Sequence, residues 1–189
     1  MNKKKVIMTF LLLILILLLT FSQGFFNNSF KEVALMDNNI GELKEYTINT
    51  GQQKLYLPED LMLVDGKVNE YITYQGVFKG ENNFLSGYIE ILNSDSDVKE
   101  LAQKDMNNLS LEHGKEKIES YKDDNWKGMR VSYISKLSTG KRFVNNVYYI
   151  NIDTNKIAKF TFLVDEEIYK DSMKYMFDII VSKMESQNK

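Results

Sequence analysis

Short runs rich in β-branched and aromatic residues recur from Leu43 onward, and they constrain the fold more than any other feature of the sequence. Turn-prone residues separate most neighbouring runs, as at 80–83 and 138–140. Gaps this short favour antiparallel hairpins, because a parallel connection needs a crossover of a dozen or more residues. The predicted strands cover 45–49, 54–57, 71–79, 84–92, 117–121, 129–135, 143–152 and 157–164.

Two segments have helical periodicity instead. In 97–109 the apolar residues fall on one helical face behind Asp97 as a cap, and 166–184 repeats this pattern with acids first and a lysine near its end. The strand 157–164 is apolar on both faces, which predicts a central position buried on both sides. We therefore expect an α+β domain over 43–189, with an antiparallel β-sheet sandwiched by helices and a core large enough to need no disulfide.

The strand 129–135 places Met129, Val131 and Tyr133 on one face and Arg130 and Ser132 on the other. This alternation predicts a half-exposed strand.

The N-terminus differs in character from this domain. Lys3, Lys4 and Lys5 precede an uncharged run that begins at Val6 and ends at Phe21. At about 1.5 Å per residue, about 16 residues span about 24 Å, slightly less than a hydrocarbon core of about 30 Å. Phe25 and Phe26 extend the apolar segment, so the expected organisation is a basic cytoplasmic tip at 1–5, a membrane segment at 6–26 and a stalk at 27–42.

Two interpretations of this segment stay open. It is either a retained single-pass anchor or a signal peptide cleaved near Ser22, Gln23 and Gly24, and no alanine lies near that site. Both interpretations place the lysines in the cytoplasm and export the domain, which is then secreted if cleavage occurs. A buried core helix directly after a lysine cluster at the chain start is a third, less common arrangement.

Composition excludes several classes of chemistry. The chain has no cysteine and a single histidine, His113, so zinc-thiolate sites, thiol nucleophiles and lipid attachment at cysteine are absent. Beyond the lysines at the N-terminus, 21 basic residues face 26 acidic ones, a formal charge of about −5. This acidity argues against nucleic-acid binding, and no residue pattern calls for a cofactor.

The order of elements resembles the PsbP-like family, named for an extrinsic subunit of the photosystem II oxygen-evolving complex. The resemblance rests on Leu57-Pro58-Glu59-Asp60 after a strand, Trp126-x-Gly128 before three strands, and the end of the terminal helix at 179–184. It covers 44–184 and implies an antiparallel sheet between helices. It also implies a binding or assembly role without a shared catalytic site. No residues here match the photosynthetic contacts of that family.

Asp123, Asp124 and Trp126 form the candidate contact site for a partner or ligand. The favoured interpretation of Trp126 is a core residue at the start of a strand, and the alternative is an aromatic platform flanked by acids, which suits a sugar or a cationic partner. Tyr148 and Tyr149 point to opposite faces, so one of them is a further candidate for exposure.

Other motifs fail on closer inspection. His113 lies in a polar stretch and is predicted to be a solvated loop residue, since no nucleophile or orienting carboxylate accompanies it. Asn93 to Asp97 resembles a calcium loop, but Val98 and Lys104 stand where glycine and glutamate are required. Gly140-Lys141 lacks the upstream glycine of a phosphate loop and predicts a hairpin turn.

The sequence thus predicts a noncatalytic, membrane-tethered extracytoplasmic module for an envelope protein, with no metal site. The alternatives are a small-ligand or cell-wall-glycan sensor near Trp126 and, less favoured, a carboxylate-based hydrolase whose two acids would need a separation of about 5–9 Å. Partner identity and oligomeric state stay open.

Overall fold

The computed structural model describes residues 41–80 and 84–186, together with residues 8, 12–14 and 16 of the N-terminal run, which are helical. Within this described part, no helix is long and apolar enough to cross a membrane. The predicted topology-setting and boundary residues, the cleavage motif and most of the stalk lie outside the described residues: Lys3, Lys4, Lys5, Val6, Phe21 and 22–40.

The described part of the domain contains two antiparallel sheets and two α-helices. A three-stranded sheet has the order β1-β2-β10, and a seven-stranded sheet has the order β3-β4-β5-β9-β8-β7-β6. The strands are β1 (Leu43–Ile48), β2 (Gln53–Pro58), β3 (Leu61–Asp65), β4 (Ile72–Gly80), β5 (Ser86–Asn93), β6 (Glu112–Lys122), β7 (Lys127–Lys136), β8 (Arg142–Asp153), β9 (Lys156–Asp165) and β10 (Glu185–Ser186). The helices are α1 (Val98–Asn107) and α2 (Met173–Ser182).

Helix α1 covers part of one face of the large sheet. Its residues Val98, Ala102 and Met106 are buried against a small apolar cluster on β7, β8 and β9. The half of this face formed by β3 and β4 stays open, where Val64 and Val77 face each other across the strands and are exposed.

Helix α2 and the small sheet close the opposite face. The rings of Phe162 on β9 and Phe177 on α2 stack with centroids 4.5 Å apart, and Tyr148 meets Phe162 edge-on at 5.9 Å. Leu55 and Leu57 of β2 are fully buried in the same cluster. Aromatic pairs of this kind stabilise a core beyond the area that they bury.

The fold confirms the predicted α+β class and the central position of 157–164. Strand β9 lies in the middle of the seven-stranded sheet, between β5 and β8. Its Phe160 packs in the large core and its Ile157 under α1. The carboxylate of Asp97 accepts a hydrogen bond of 2.8 Å from the Lys99 amide, so the predicted cap of α1 is also confirmed.

Three expectations need correction. The last helix begins at Met173 rather than at 166, because the Asp165 carboxylate and carbonyl accept hydrogen bonds from the amides of 167–169 and hold that segment in turns. The segment Leu61–Asp65 forms an edge strand that the sequence pattern missed. His113 lies within β6 and pairs with Ser135, so it is not a loop residue.

The prediction that 129–135 forms a half-exposed strand is correct only in part. Along β7, Ser132, Tyr133 and Ile134 are half-buried and Lys136 is exposed, whereas Arg130 is buried. Tyr148 and Tyr149 are both buried, so neither is exposed.

Candidate functional site

Trp126 lies in the core, directly before β7, with 3% of its surface exposed. Trp126 is therefore a core residue and not an exposed aromatic platform. Asp123 shapes the turn that precedes it. Its Oδ1 atom accepts hydrogen bonds from the amides of Asn125 at 2.7 Å and Trp126 at 2.6 Å, and the Tyr121 hydroxyl donates to its Oδ2 atom.

Asp124 lines a shallow groove of about 490 Å³ between this turn and the C-terminus of α2. Asn125 closes one side by donating a hydrogen bond of 2.9 Å to the Ser182 carbonyl. Burial, followed by the hydrogen bond to Asp123, raises the pKa of the neighbouring Tyr121 hydroxyl. Partner contact through Asp123 and Asp124 stays a prediction.

The rejected motifs have structural roles. His113 Nδ1 is 2.7 Å from the Leu111 carbonyl and Nε2 is 3.1 Å from Glu116. Gly140 takes a φ of +86° in the β7–β8 hairpin, as the turn prediction requires. Among the residues that the structure describes, no group of three His, Asp or Glu side chains could hold a metal ion.

A second cavity, with a volume of about 250 Å³, lies beside the C-terminal end of α1. Its walls come from the end of α1 and the segment that follows it, and from strands β5, β7, β8 and β9. The lining residues are Tyr88, Asp105, Met106, Asn108, Leu109, Tyr133, Val147, Tyr149 and Lys159. Six of these nine residues have polar side-chain atoms, and Met106, Leu109 and Val147 supply apolar surface, so the cavity has a mixed polar and apolar lining.

Lys159 is the central charged group of this cavity. Its ammonium lies 2.6 Å from Asp105 Oδ2 and 3.8 Å from Glu90 Oε2. The Tyr149 hydroxyl donates to the same Asp105 oxygen at 2.9 Å, and Gln75 donates to Glu90 at 3.0 Å. The result is a row of paired polar groups across β4, β5, β9 and β8, with Asp105 of α1 above it.

The electrostatics follow from this pairing. Burial alone would lower the pKa of Lys159, but the hydrogen bond and charge of Asp105 raise it above the ordinary lysine value. Burial, with Tyr88 and Asp105 nearby, raises the pKa of Tyr133 to about 12. Lys159 thus stays charged and Tyr133 stays neutral near neutral pH.

A third polar cluster lies on the opposite face of the sheet. The Glu119 carboxylate contacts Arg130 directly, Lys117 at 2.6 Å and Lys174 at 3.8 Å. Arg130 also lies 3.5 Å from Asp178. Because the Glu119 carboxylate already lies between Lys117, Arg130 and Lys174, these cations do not form a free site for an anion.

The outer edges of the large sheet differ. On β6 the charged residues 115–117 are exposed, a register shift interrupts the pairing with β7 between Gly114 and Lys117, and Lys115 has a φ of +54°. On β3 the side chains of Met62 and Val64 are 63% and 64% exposed. Charges and bulges protect a sheet edge from pairing with other chains, and exposed apolar residues do not.

Sequence reasoning missed the cavity and the β3 edge. A usable signal existed for the cavity, because Lys159 interrupts the apolar strand 157–164, and a charge at a buried position requires a partner. Asp105 could not be assigned as that partner, since the two residues are far apart in the chain.

Comparison with known proteins identifies the fold. No family model matches the chain, and no curated protein matches its sequence. Among solved structures, it is similar to the solution structure of cyanobacterial PsbP (CyanoP) from Synechocystis sp. PCC 6803. The TM-score is 0.55 at 14% sequence identity, and the similarity covers 78% of this chain and 94% of that one. The chain therefore has a PsbP-like fold, as its sequence pattern predicts.

Proposed function

We propose that this chain is a noncatalytic binding or assembly module, held at the membrane by its N-terminal segment, whose extracytoplasmic domain binds an envelope protein. The uncharged run from Val6 to Phe21 after three lysines supports the tether and the orientation. The PsbP-like fold supports a binding role, which the sequence resemblance implies for such domains.

The observation that carries the proposal is the difference between the two edges of the large sheet. Strand β6 is protected by charges and a register shift, while β3 presents Met62 and Val64 to solvent beside the exposed Val77. An apolar, unprotected edge strand is a template for pairing with a strand of another chain. Within the described part of the chain, no strand other than β4 pairs with β3.

The geometry of β3 indicates which part of the edge is available. The Tyr46 hydroxyl of β1 donates a hydrogen bond of 2.8 Å to the Leu61 carbonyl, which occupies the N-terminal end of the edge. The strand ends at Asp65, whose carboxylate accepts a hydrogen bond of 2.9 Å from the Tyr74 hydroxyl. We therefore propose that the partner contributes a short extended segment with apolar residues at alternate positions, opposite 62–65.

Charge gives the partner a further property. Glu59 and Asp60 precede β3 and Asp65 ends it, and the exported part of the chain is acidic. A segment with lysine or arginine near its ends complements these acids better than an acidic segment does, while the exposed Lys79 lies across from Met62.

The test is recovery of the partner from gently solubilised native membranes with the full-length chain and with Val64→Lys. The matched control is Ile118→Lys, which places the same charge at a partly exposed apolar position on the protected edge strand β6. We expect Val64→Lys to lose the partner and Ile118→Lys to retain it, with unchanged thermal midpoints. Equal recovery by both variants, or no partner with the unmodified chain, would contradict the proposal.

A further inference from the structure

We infer that the cavity beside α1 binds one neutral sugar unit, a ring with several hydroxyl groups. The inference concerns a different surface from the β3 edge, and it moves any glycan recognition away from the buried Trp126.

The size and lining of the cavity define the ligand class. A volume of about 250 Å³ lies below the range of about 300–1,000 Å³ for drug-sized pockets, so it suits a single ring. Tyr88 and Tyr133 are half-buried, and Met106, Leu109 and Val147 supply apolar surface. A sugar ring has an apolar C–H face that packs on such surfaces and a rim of hydroxyls that needs polar partners.

The polar atoms of the cavity have unused hydrogen-bonding capacity. Lys159 and Tyr149 both use the Oδ2 atom of Asp105, and no described group bonds its Oδ1 atom. The hydroxyls of Tyr88 and Tyr133 also have no hydrogen-bond partner among the residues that the structure describes. A ligand with several hydroxyls donates to the carboxylate oxygen and exchanges hydrogen bonds with the tyrosines.

Charge excludes ionic ligands of either sign. The Lys159 ammonium is already matched by Asp105 at 2.6 Å and approached by Glu90 at 3.8 Å. An anionic ligand would meet the Asp105 carboxylate, and a cationic ligand would meet the Lys159 ammonium, each at a cost in a partly desolvated site. A neutral ligand disturbs neither pair.

Saturation-transfer NMR and calorimetry on the full-length chain in detergent test the inference, with D-glucose, D-galactose and N-acetyl-D-glucosamine as neutral probes. D-Glucuronate and glucosamine serve as charged probes, and glycerol tests whether any polyol suffices. We expect saturable binding of at least one neutral sugar and markedly weaker binding of the charged sugars and of glycerol.

Tyr88→Phe and Tyr133→Phe are the diagnostic variants, because they remove only hydroxyls that have no partner in the described structure and so leave folding intact. Each should weaken the affinity for the bound sugar about 3- to 10-fold, the value of one hydrogen bond. Tyr71→Phe, at an exposed tyrosine outside the cavity, is the matched control and should leave the affinity unchanged.

Three results would overturn the inference. These are no binding by any neutral probe, binding of D-glucuronate or glucosamine at least as tight as that of the neutral sugars, and equal affinity of all three tyrosine variants. Val64→Lys should leave sugar binding unchanged, so failure of the β3 proposal is distinguishable from failure of this one.

Discussion

Replacement of Asp105 by asparagine tests the polar row beneath α1 most sharply. The change keeps the size of the side chain but removes the negative charge next to Lys159, whose side chain is only 16% exposed. Loss of one partner from a buried ion pair costs about 3–5 kcal/mol. Here Glu90 at 3.8 Å and the amide oxygen of the new side chain compensate in part, so we expect a loss of about 2 kcal/mol.

A loss of this size is measurable by thermal unfolding. For a domain of this length, about 2 kcal/mol corresponds to a decrease of about 4–8 °C in the midpoint. The double variant Asp105→Asn/Lys159→Met removes both charges and should recover most of the loss, because a buried pair replaced by neutral groups is often close to neutral in stability. Asp95→Asn, at an exposed aspartate, is the control and should change the midpoint little.

The double variant also provides the refutation. If Asp105→Asn unfolds at the same temperature as the unmodified chain, Lys159 does not depend on that carboxylate. If the double variant is less stable than the single one, the lysine contributes by packing rather than through its charge.

Three further predictions follow from burial and backbone geometry. Burial, and to a smaller extent nearby aspartates, raise the pKa of Tyr148 and Tyr149 in the folded state. The stability that these two neutral hydroxyls contribute is therefore fully present below pH about 10 and is lost as the pH rises further. Thermal midpoints should fall across alkaline pH, and a flat profile would contradict this. Trp126→Ala should reduce the unfolding free energy by about 3–5 kcal/mol in denaturant titrations, because the indole is buried, and a change below about 1 kcal/mol would contradict the core assignment. Gly128→Ala should destabilise strongly, since its Cβ would clash with the Tyr149 carbonyl, whereas Gly114→Ala, with open space around it, should not; equal midpoints would refute the close approach.

The elements with a strong apolar pattern were predictable from the sequence. The strand 157–164 has apolar residues on both of its faces rather than on alternate positions, a pattern that indicates a central strand covered on both sides. Asp97 directly precedes the apolar face of α1 and so occupies its cap position. In both cases the local sequence and the tertiary environment agree, so a local pattern sufficed.

The sheet edges were not predictable in this way. Residues 112–117 are mostly charged and polar, so nothing local favours a strand, and pairing with β7 determines their conformation. Leu61–Asp65 is short and follows a proline turn, so its apolar residues gave no clear period. Both strands depend on long-range pairing, which overrides local propensity.

The candidate sites show the same limit. Trp126 beside two aspartates satisfied the chemical pattern of a binding site, but the turn made by Asp123 directs the indole into the core. The Lys159–Asp105 pair joins a central strand to a helix more than fifty residues away, so only the assembled sheet brings the charges together. Sequence therefore identified charged residues in unusual positions without identifying their partners.

A thiol-specific crosslink from β3 tests the proposed binding role most directly. The chain has no cysteine, so Val64→Cys introduces a single reactive thiol at the exposed edge, and Ile118→Cys introduces the matched thiol on β6. With a short crosslinker in native membranes, we expect Val64→Cys to yield one discrete product that contains another envelope protein, and Ile118→Cys to yield none. The same product from both positions, no product from Val64→Cys, or a product that contains only a second copy of this chain would contradict a partner at the β3 edge.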